Sequence, residues 1–185
     1  MKLAAVEAFA VSIGPGSFTG LRIGLATAKA FAFGSARPVA AVSTLAALCA
    51  SAASRAGETH DAPVAALLDA RRGAYYAACV SRAGLSRADL LADCVLTPAE
   101  LAAQLPRGVR VVVGEDAREG AESLAALRSD LALLELPGGG ASAASVARLG
   151  AQLLAEGAGR EGAQLVPVYL RRAEAEARRT GRSFE

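Results

Sequence analysis

The sequence predicts an α/β fold, and three features near its beginning support that prediction. A short apolar run at 6–12 stops at a turn, as a strand buried on both faces would, and a helical stretch at 17–33 follows it. A second apolar run occupies 39–42, and a second helix opens at Ser43 or Thr44. Strands and helices that alternate at this spacing are typical of parallel strands covered by helices.

The pattern changes after residues 55–62, a polar and glycine-containing stretch that is the best candidate for a domain boundary. Two strands are predicted at 63–69 and 74–80, and the turn residues 70–73 between them indicate a hairpin. A third strand is predicted at 90–96. This part of the chain is therefore expected to form a second structural unit.

Helix signals return after the third strand. Thr97 to Glu100 forms a capping box with proline at the first helical position, which predicts the start of a helix. A buried strand at 109–113, a helix at 119–127 and a helix with one apolar side at 142–156 follow. A short apolar run lies at 131–136, and a flexible break follows it at 137–140. The chain is expected to be extended at 166–171 and to end in a charged, solvated tail at 171–185.

The composition restricts the class of protein. Of the 185 residues 53% are hydrophobic, which is enough for a core, and a net charge of +2 is too small to indicate a nucleic-acid-binding surface. Cys49, Cys79 and Cys94 lack the spacing of a zinc site or a disulfide framework, so we interpret them as reduced core thiols. No run of about eighteen apolar residues occurs and Glu7 interrupts the apolar start, so a cytoplasmic protein without a membrane span is expected.

The most informative feature is a Gly-Pro-Gly turn that runs directly into the first helix. Gly14 and Gly16 permit backbone angles closed to other residues, and Pro15 favours a turn between them. Ser17 or Thr19 can cap the helix that follows. The glycine spacing matches neither a Walker loop nor a dinucleotide fingerprint, although a helix start can still bind an anion. Close packing is the preferred interpretation of this turn, and contact with an anion or nucleotide is the alternative.

The first helix carries small residues along one side. Gly20, Gly24 and Ala28 recur at i, i+4 and i+8, so that side is almost bare backbone. Close packing against it is predicted, either by this chain's own sheet or by another protein. Gly34, with Pro38 shortly after it, is expected to end the helix.

The sequence shows no catalytic constellation. A hydrolase needs a nucleophile, a base and an orienting group, but His60 is the chain's sole histidine and lies in the polar boundary stretch. Asp69 could bind a metal or a ribose, although capping of the hairpin is the preferred interpretation. The acidic residues at 115–116, 174 and 176 are interpreted as surface charge. No catalytic residue and no metal site is therefore predicted.

Four motifs, in order along nearly the whole chain, resemble the signature of the TsaB (YeaZ) family. They are Gly14–Gly24 with Ala28 and Lys29, Val42–Leu45, Leu68–Tyr76 and Pro167–Arg171. The resemblance implies a degenerate member of the actin/Hsp70/sugar-kinase (ASKHA) fold class. It also implies a non-catalytic subunit that supports a TsaD-type threonylcarbamoyl transferase in the N6-threonylcarbamoyladenosine modification of tRNA position 37.

The resemblance carries expectations about partners and cofactors. The expected partners are a TsaD-type catalytic paralogue and a TsaE-type ATPase, with a homodimer as a further assembly and with tRNA contacted only through the complex. No cofactor is expected in this chain, because ATP and metal belong to the partner subunits. The first helix is expected to supply the partner interface, through Phe18, Gly20, Leu21, Arg22, Gly24, Leu25, Ala28 and Lys29.

The same resemblance predicts two lobes. Residues 1–54 would be the remainder of the first lobe, 55–170 the second lobe and 171–185 a charged tail. Family members open with three further strands and a first helix, so we expect a misassigned start, with a truncated paralogue as the alternative. Without those strands, the segments 6–12 and 39–42 are expected to have exposed edges.

Two functions from other classes compete with this hypothesis. The first is a hydrolase of the glycoprotease-like (M22) type, with Ser17 and Asp69 as the residues to test. The second is a free-standing nucleotide-binding module of the ASKHA class. Because the opening hairpin that cradles phosphate in this fold is absent from the sequence, weak or no ATP binding is expected.

Overall fold

A computed structural model of the chain describes residues 2–55, 62–81, 89–114, 116–136 and 140–171. Within these ranges the chain forms seven strands and five α-helices, arranged as two sheets with helices against them, and the predicted α/β class is confirmed. The predictions for His60, Glu115, the break at 137–139 and the tail from 172 onward lie outside the described residues.

The first sheet has two parallel strands, β1 (Phe9–Gly14) and β2 (Val39–Ser43), connected through helix α1 (Phe18–Ser35). Helix α2 (Thr44–Arg55) begins where β2 ends. The last helix, α5 (Ala143–Ala155), also packs against β1 and β2 although it follows them by about a hundred residues in the sequence. The strand–helix–strand–helix order predicted for this part of the chain is confirmed.

The two faces of this sheet are covered by different helices. On one face, the strands pack against Leu25 and Ala32 of α1. On the other face, Ala10 and Val42 pack with Leu149 of α5. Successive residues of a strand point to opposite faces, so each strand contributes side chains to the packing on both faces.

Two features predicted for β1 need correction. The strand was expected at 6–12 but occupies 9–14, because Phe9 is the first residue with a partner, the Pro38 carbonyl at 3.0 Å. Burial on both faces was also expected, yet every residue of β1 before Gly14 is only half-buried. The reason is that no strand pairs with the second side of β1 in the described residues.

The edge of β2 is less exposed than expected. Arg160 exchanges two backbone hydrogen bonds with Val39, at 2.8 and 3.0 Å, and Val39 is fully buried. A short 3-10 helix at Gly162–Gln164 follows and packs beside α1. The segment after α5 therefore covers this edge at Val39, and the expected exposed edge of β2 is corrected at that residue.

The end of α1 also differs from expectation. Gly34 lies inside the helix, which continues to Ser35. Ala36 adopts the left-handed conformation, with φ of 51°, and its amide donates to the Ala32 carbonyl. Pro38 follows directly before β2, where it cannot extend the helix. The helix thus ends at Ser35 and is capped by Ala36, whereas the sequence predicted that Gly34 would end it.

The second sheet contains five strands in the order β5–β4–β3–β6–β7. The predicted hairpin of β3 and β4 is confirmed as an antiparallel pair, and β5 is antiparallel to β4. Strand β6 is parallel to β3, and β7 is parallel to β6. From β3 to β7 the strands are Val64–Asp69, Tyr75–Val80, Leu91–Leu96, Arg110–Val113 and Ala132–Glu135.

Helices cover both faces of the second sheet. Helix α3 (Pro98–Gln104) and helix α4 (Arg118–Leu127) pack on one face, around Leu101 and Leu124. The predicted capping box at the start of α3 is confirmed. Helix α2 covers the other face and also contacts α5. Helices α2 and α5 therefore lie between the two sheets, and the predicted lobe boundaries at 54 and 170 remain a prediction.

The cysteines are core thiols, as predicted. Cys49 and Cys79 are buried, Cys94 is half-buried, and all three are free. Burial raises the pKa of the Cys79 thiol to about 12 and raises the pKa of the Cys49 thiol still further. These thiols are therefore protonated at neutral pH and weak nucleophiles. No helix in the described ranges is both long and apolar enough to cross a bilayer.

Helix α5 approaches β1 so closely that only glycine fits at position 150. A Cβ atom added to Gly150 would lie 2.3 Å from the Cβ atom of Ala10. We predict that Gly150→Ala lowers the free energy of unfolding by about 1–3 kcal/mol, because the helix must move away from the strand. Urea unfolding followed by circular dichroism measures this change.

Gly24→Ala is the matched control for this substitution. Gly24 also lies within a helix, but nothing lies within 4 Å of an added Cβ atom. Here the alanine is expected to raise the free energy of unfolding by about 0.5–1 kcal/mol, since it is the better helix former. Equal effects of the two substitutions would contradict the close packing of α5 on β1.

Candidate functional site

The structure brings three of the four sequence motifs into contact through the segment at 166–171. The amide of Val168 donates to the Ile13 carbonyl at 2.7 Å, beside the Gly-Pro-Gly turn. Arg171 then donates from Nη1 to the carbonyl of Ala70 and, at 2.7 Å, to the carbonyl of Arg71, in the hairpin turn. The segment, which was predicted only as extended chain, thus joins the first sheet to the second.

The Gly-Pro-Gly turn is a close-packing device in this structure. Gly14 has φ of 118°, and a Cβ atom there would lie 2.5 Å from the Val168 carbonyl oxygen. Gly14 and Pro15 are both buried, whereas Gly16 is exposed and has nothing within 4 Å of an added Cβ atom. Glycine is therefore required at position 14 for its backbone angle and for the approach of the C-terminal segment.

Ser17, not Thr19, caps helix α1. Its hydroxyl oxygen accepts a hydrogen bond from the amide of Gly20 at 3.3 Å. Thr19 lies exposed within the first turn of the helix. The Ser17 hydroxyl therefore has a structural role at the helix start.

An aromatic cluster lies beside this cap. The Arg22 guanidinium is 3.9 Å from the centre of the Phe18 ring, and its Nε donates to the Tyr169 hydroxyl at 3.3 Å. The rings of Phe18 and Tyr169 are 5.3 Å apart between centroids. Both aromatic side chains remain more than a third exposed. The cluster fixes the direction of the Arg22 charge at the surface of α1.

The predicted partner interface on α1 divides between an inner and an outer side. Leu21, Leu25 and Ala28 are buried and lie on the same side of the helix as Ala32, against this chain's own sheet. Their side chains are already used in the internal core, so they leave little area for a partner to cover. The assignment of these three residues to a partner interface stays a prediction.

The remaining predicted interface residues lie at the surface. Phe18, Arg22 and Gly20 are exposed, and Gly24 and Lys29 are half-exposed. Whether they contact a partner remains a prediction.

The exposed side opposite the buried one is small and apolar. It consists of Ile23, Ala26, Ala30 and Phe33, which we call the outer face of α1. Ile23 is 64% exposed and Phe33 is 92% exposed. Ala26, Ala30 and Phe33 were not among the predicted interface residues. The inner side of the helix consists of Leu21, Leu25, Ala28 and Ala32. Once that side is known, helical periodicity places the outer-face residues opposite it.

Asp69 has the hairpin-capping role that the sequence favoured. Its Oδ1 accepts the amide of Arg71 at 2.7 Å, and its Oδ2 lies 3.2 Å from the guanidinium of the same residue. Asp116 lies 3.7 Å from that guanidinium, at the surface, in agreement with its interpretation as surface charge. The described residues contain no group of acidic, histidine or cysteine side chains that could hold a metal ion.

A hydroxyl-rich contact between β5 and the start of α2 was not predicted. The Ser43 hydroxyl donates to Asp93 Oδ2 at 2.7 Å and accepts the amide of Ala46 at 3.3 Å. Ser12 and Thr44 share a hydrogen bond of 2.6 Å nearby. Burial raises the pKa of the Asp93 carboxyl, and the bond from Ser43 partly opposes that rise. The bond between Ser43 and Asp93 connects the two sheets where α2 begins.

The hydrogen bonds from Arg171 to the carbonyls of Ala70 and Arg71 hold the hairpin turn, and we call this contact the clamp. It can be tested by proteolysis, because the turn contains two arginines. We predict that Arg171→Leu increases the rate of tryptic cleavage after Arg71 or Arg72 by about tenfold, because two charge-assisted hydrogen bonds to that turn are lost. Mass spectrometry of the early fragments measures the rate.

Arg37→Leu is the control for the clamp, since Arg37 is exposed and removal of its side chain leaves the turn untouched. Unchanged cleavage after Arg71 and Arg72 in the Arg171→Leu variant would contradict the clamp.

Comparison with known proteins identifies relatives of this arrangement. A family model described as TsaD, tRNA N6-adenosine threonylcarbamoyltransferase, matches residues 1–127. The chain is 42% identical over 71 residues to the tRNA threonylcarbamoyladenosine biosynthesis protein TsaB of Escherichia coli K12. It is 44% identical over 72 residues to the Haemophilus influenzae protein of the same name. Each match covers 38% of this chain and 29% of the relative, so it spans less than a third of those proteins.

Solved structures extend the likeness over most of the chain. YeaZ from Pseudomonas aeruginosa superposes with a TM-score of 0.73 at 31% identity, over 90% of this chain and 76% of that chain. A second Pseudomonas aeruginosa protein, described as similar to the peptidase YeaZ, superposes with a TM-score of 0.70 at 31% identity, over 92% and 76% of the two chains. The predicted ASKHA-like fold is confirmed by these neighbours, and the chain belongs to the TsaB/YeaZ family.

Proposed function

We propose that this chain is a non-catalytic TsaB-like subunit that takes part in threonylcarbamoyladenosine biosynthesis. In this proposal a TsaD-type paralogue transfers the threonylcarbamoyl group to adenosine 37 of tRNA, and this chain supports that enzyme by binding it. Membership of the TsaB/YeaZ family supports the pathway, because the curated relatives are named for threonylcarbamoyladenosine biosynthesis.

The outer face of α1 is the observation that carries the proposed partnership. Ile23 and Phe33 are 64% and 92% exposed, and alanines lie between them. The inner side of the same helix is buried in this chain's own core, so the helix is held rigidly while its apolar outer face stays uncovered. Contiguous exposed apolar surface on a helix is typical of a protein-binding site.

Positive charges at the border of the outer face support binding to one specific partner. Arg22 is exposed and is oriented by Phe18 and Tyr169, and Lys29 follows two turns along the helix. Positive charges that flank an apolar contact select a partner with carboxylates at the matching positions. We therefore expect acidic residues around the helix-binding surface of the TsaD-type partner.

The proposed chemistry belongs to the partners. The TsaD-type paralogue would hold the metal, a TsaE-type ATPase would hold ATP, and tRNA would be contacted through the complex. The hydroxyl that a hydrolase mechanism would most readily use, that of Ser17, caps α1, and Asp69 caps the hairpin turn. These structural roles support a scaffold in place of a glycoprotease-like hydrolase or a separate nucleotide-binding module.

Reconstitution tests the proposed function directly. The TsaD-type and TsaE-type subunits of the same organism, tRNA, ATP and a threonylcarbamoyl donor are combined with and without this chain. Mass spectrometry of the digested tRNA then measures threonylcarbamoyladenosine. Product is expected only when the chain and the TsaD-type subunit are both present. Product from the chain without that subunit would show that the chain is itself catalytic, and equal product in its absence would exclude the supporting role.

The outer face is tested by a single substitution. Ile23→Glu is expected to weaken binding to the TsaD-type subunit by about tenfold or more, because a charge would be buried in an apolar contact. Titration calorimetry measures the affinity. Leu127→Glu is the matched control, since Leu127 is a similarly exposed aliphatic residue at the end of α4, away from the outer face. Wild-type affinity in the Ile23→Glu protein would contradict the proposed interface.

A further inference from the structure

Charge is unevenly distributed between the two sheets, although the net charge of the chain is only +2. Residues 8–55, which include β1, α1, β2 and α2, contain no acidic residue, and neither do residues 162–171. In residues 62–81, 89–114 and 116–136, which form the second sheet and its helices α3 and α4, acidic residues outnumber basic ones. The surface formed by α1 and the C-terminal segment therefore carries positive charges alone, as surfaces that bind a polyanion do.

Two aromatic rings flank an arginine on this surface. The guanidinium of Arg22 lies 3.9 Å from the centre of the Phe18 ring and donates from Nε to the Tyr169 hydroxyl. Phe18 and Tyr169 are 38% and 37% exposed, so each ring keeps an area that this chain does not cover. Exposed aromatic rings and guanidinium planes are the groups on which proteins stack unpaired bases. The cluster is therefore suited to a nucleic acid.

The C-terminal segment connects this cluster to the hairpin turn of the second sheet. Arg171 follows Tyr169 by two residues, which span at most about 7 Å, and it bonds to the carbonyls of Ala70 and Arg71. The cluster and the hairpin turn therefore lie side by side. We call this combined surface the basic ridge, and it consists of Phe18, Arg22, Tyr169 and the turn residues 71–73.

The hairpin turn adds a positive charge that no carboxylate pairs with in the described residues. Asp69 and Asp116 lie 3.2 and 3.7 Å from the guanidinium of Arg71. Arg72 is exposed and forms no ion pair within the described ranges. Both arginines adopt the left-handed conformation, with φ of 66° and 57°. That conformation is unfavourable for residues other than glycine, so presentation of charge is a better reason than stability for two arginines here.

We propose that the basic ridge binds RNA, with an unpaired base stacked on Phe18 or Tyr169 and phosphates at Arg22 and Arg72. An acidic protein would satisfy the two charges but would leave the exposed rings unused, whereas an RNA strand offers both phosphates and bases. The inference rests on the proposed function, in which the RNA is tRNA. It adds a direct contact by this chain to the contacts that the complex makes as a whole.

The basic ridge differs from the outer face that we assign to the TsaD-type partner. Arg22 borders both surfaces, so a substitution of Arg22 would not distinguish them. Tyr169 and Arg72 lie outside α1 and belong to the ridge alone. The tests therefore use these two residues.

Fluorescence anisotropy of a labelled, unmodified tRNA transcript, titrated with the full chain, tests the proposal. Saturable binding is expected at low salt. The affinity should fall as the salt concentration rises, because neutralised phosphates release their counterions. Absence of binding at about 50 mM salt, at the highest protein concentration reached, would overturn the proposal.

Arg72→Glu tests the charge of the ridge. It is expected to raise the Kd for tRNA by about tenfold and to reduce the salt slope by about one. Arg72→Lys keeps the charge at the same backbone position and should lose much less affinity. Arg107→Glu is the matched control, since Arg107 is exposed and precedes β6, at the end of the second sheet opposite the hairpin turn. Equal losses in the two glutamate variants would show that net charge alone matters and would exclude the ridge.

Tyr169→Ala tests the stacked base and is expected to raise the Kd by about tenfold. Tyr169→Phe keeps the ring while it loses the hydrogen bond with Arg22, so it should bind nearly as the wild type does. Wild-type affinity in the Tyr169→Ala protein would leave a surface that recognises charge alone and would overturn the stacking. Ultraviolet crosslinking of the wild-type protein to tRNA, with mass spectrometry of the peptides, is independent of folding in the variants. Crosslinks are expected at Phe18 or Tyr169, and crosslinks confined to other peptides would contradict the proposal.

The binding assay contains no TsaD-type subunit, so it separates this inference from the proposed function. If the ridge binds tRNA but the reconstituted subunits form no product, the proposed function fails and the inference stands. If product forms while Arg72→Glu and Tyr169→Ala leave tRNA affinity unchanged, the inference fails and the proposed function stands.

Discussion

The approach of the C-terminal segment to the Gly-Pro-Gly turn is the contact on which the rest of the structure depends. Gly14 and the Val168 carbonyl are so close that no side chain fits between them, and the Val168 amide holds the turn through Ile13. Three residues later, Arg171 reaches the hairpin turn of the second sheet. One short segment thus fixes the start of α1 relative to both sheets, and so fixes where the helix presents its outer face.

The sequence was sufficient for the local structure, because local structure depends on neighbouring residues. The hairpin at 70–73, the capping box at Thr97 and the alternation of strands and helices all have short-range causes, and all were predicted. The wrong predictions concern features that depend on residues distant in the sequence. Strand β1 is half-buried since it has an open side, and β2 is covered by Arg160, which is more than a hundred residues away in the sequence.

The sequence pointed to helix α1 as the candidate site, but it could not give the orientation of that helix. The glycine-rich helix was identified from its spacing, yet spacing alone cannot tell which side of a helix meets the chain's own sheet. Leu21 and Leu25 are conspicuous apolar residues and were assigned to a partner, but the internal core uses them. Ala26 and Ala30 attract no notice in the sequence, and only the structure shows that they lie opposite the buried side of the helix. The contact of Ser43 with Asp93 depends on tertiary packing and left no local signal.

The packing of α5 on β1 and β2 has a consequence for synthesis of the chain. The first sheet is made early, but the helix that covers one of its faces is encoded about a hundred residues later, and the segment that closes its β2 edge comes later still. On the ribosome, β1, α1 and β2 must therefore wait uncovered while the whole second sheet is made. During that interval the nascent chain presents an apolar sheet face to chaperones and to other nascent chains. The first sheet can therefore become stable only after α5 and the segment at Arg160 have been synthesised.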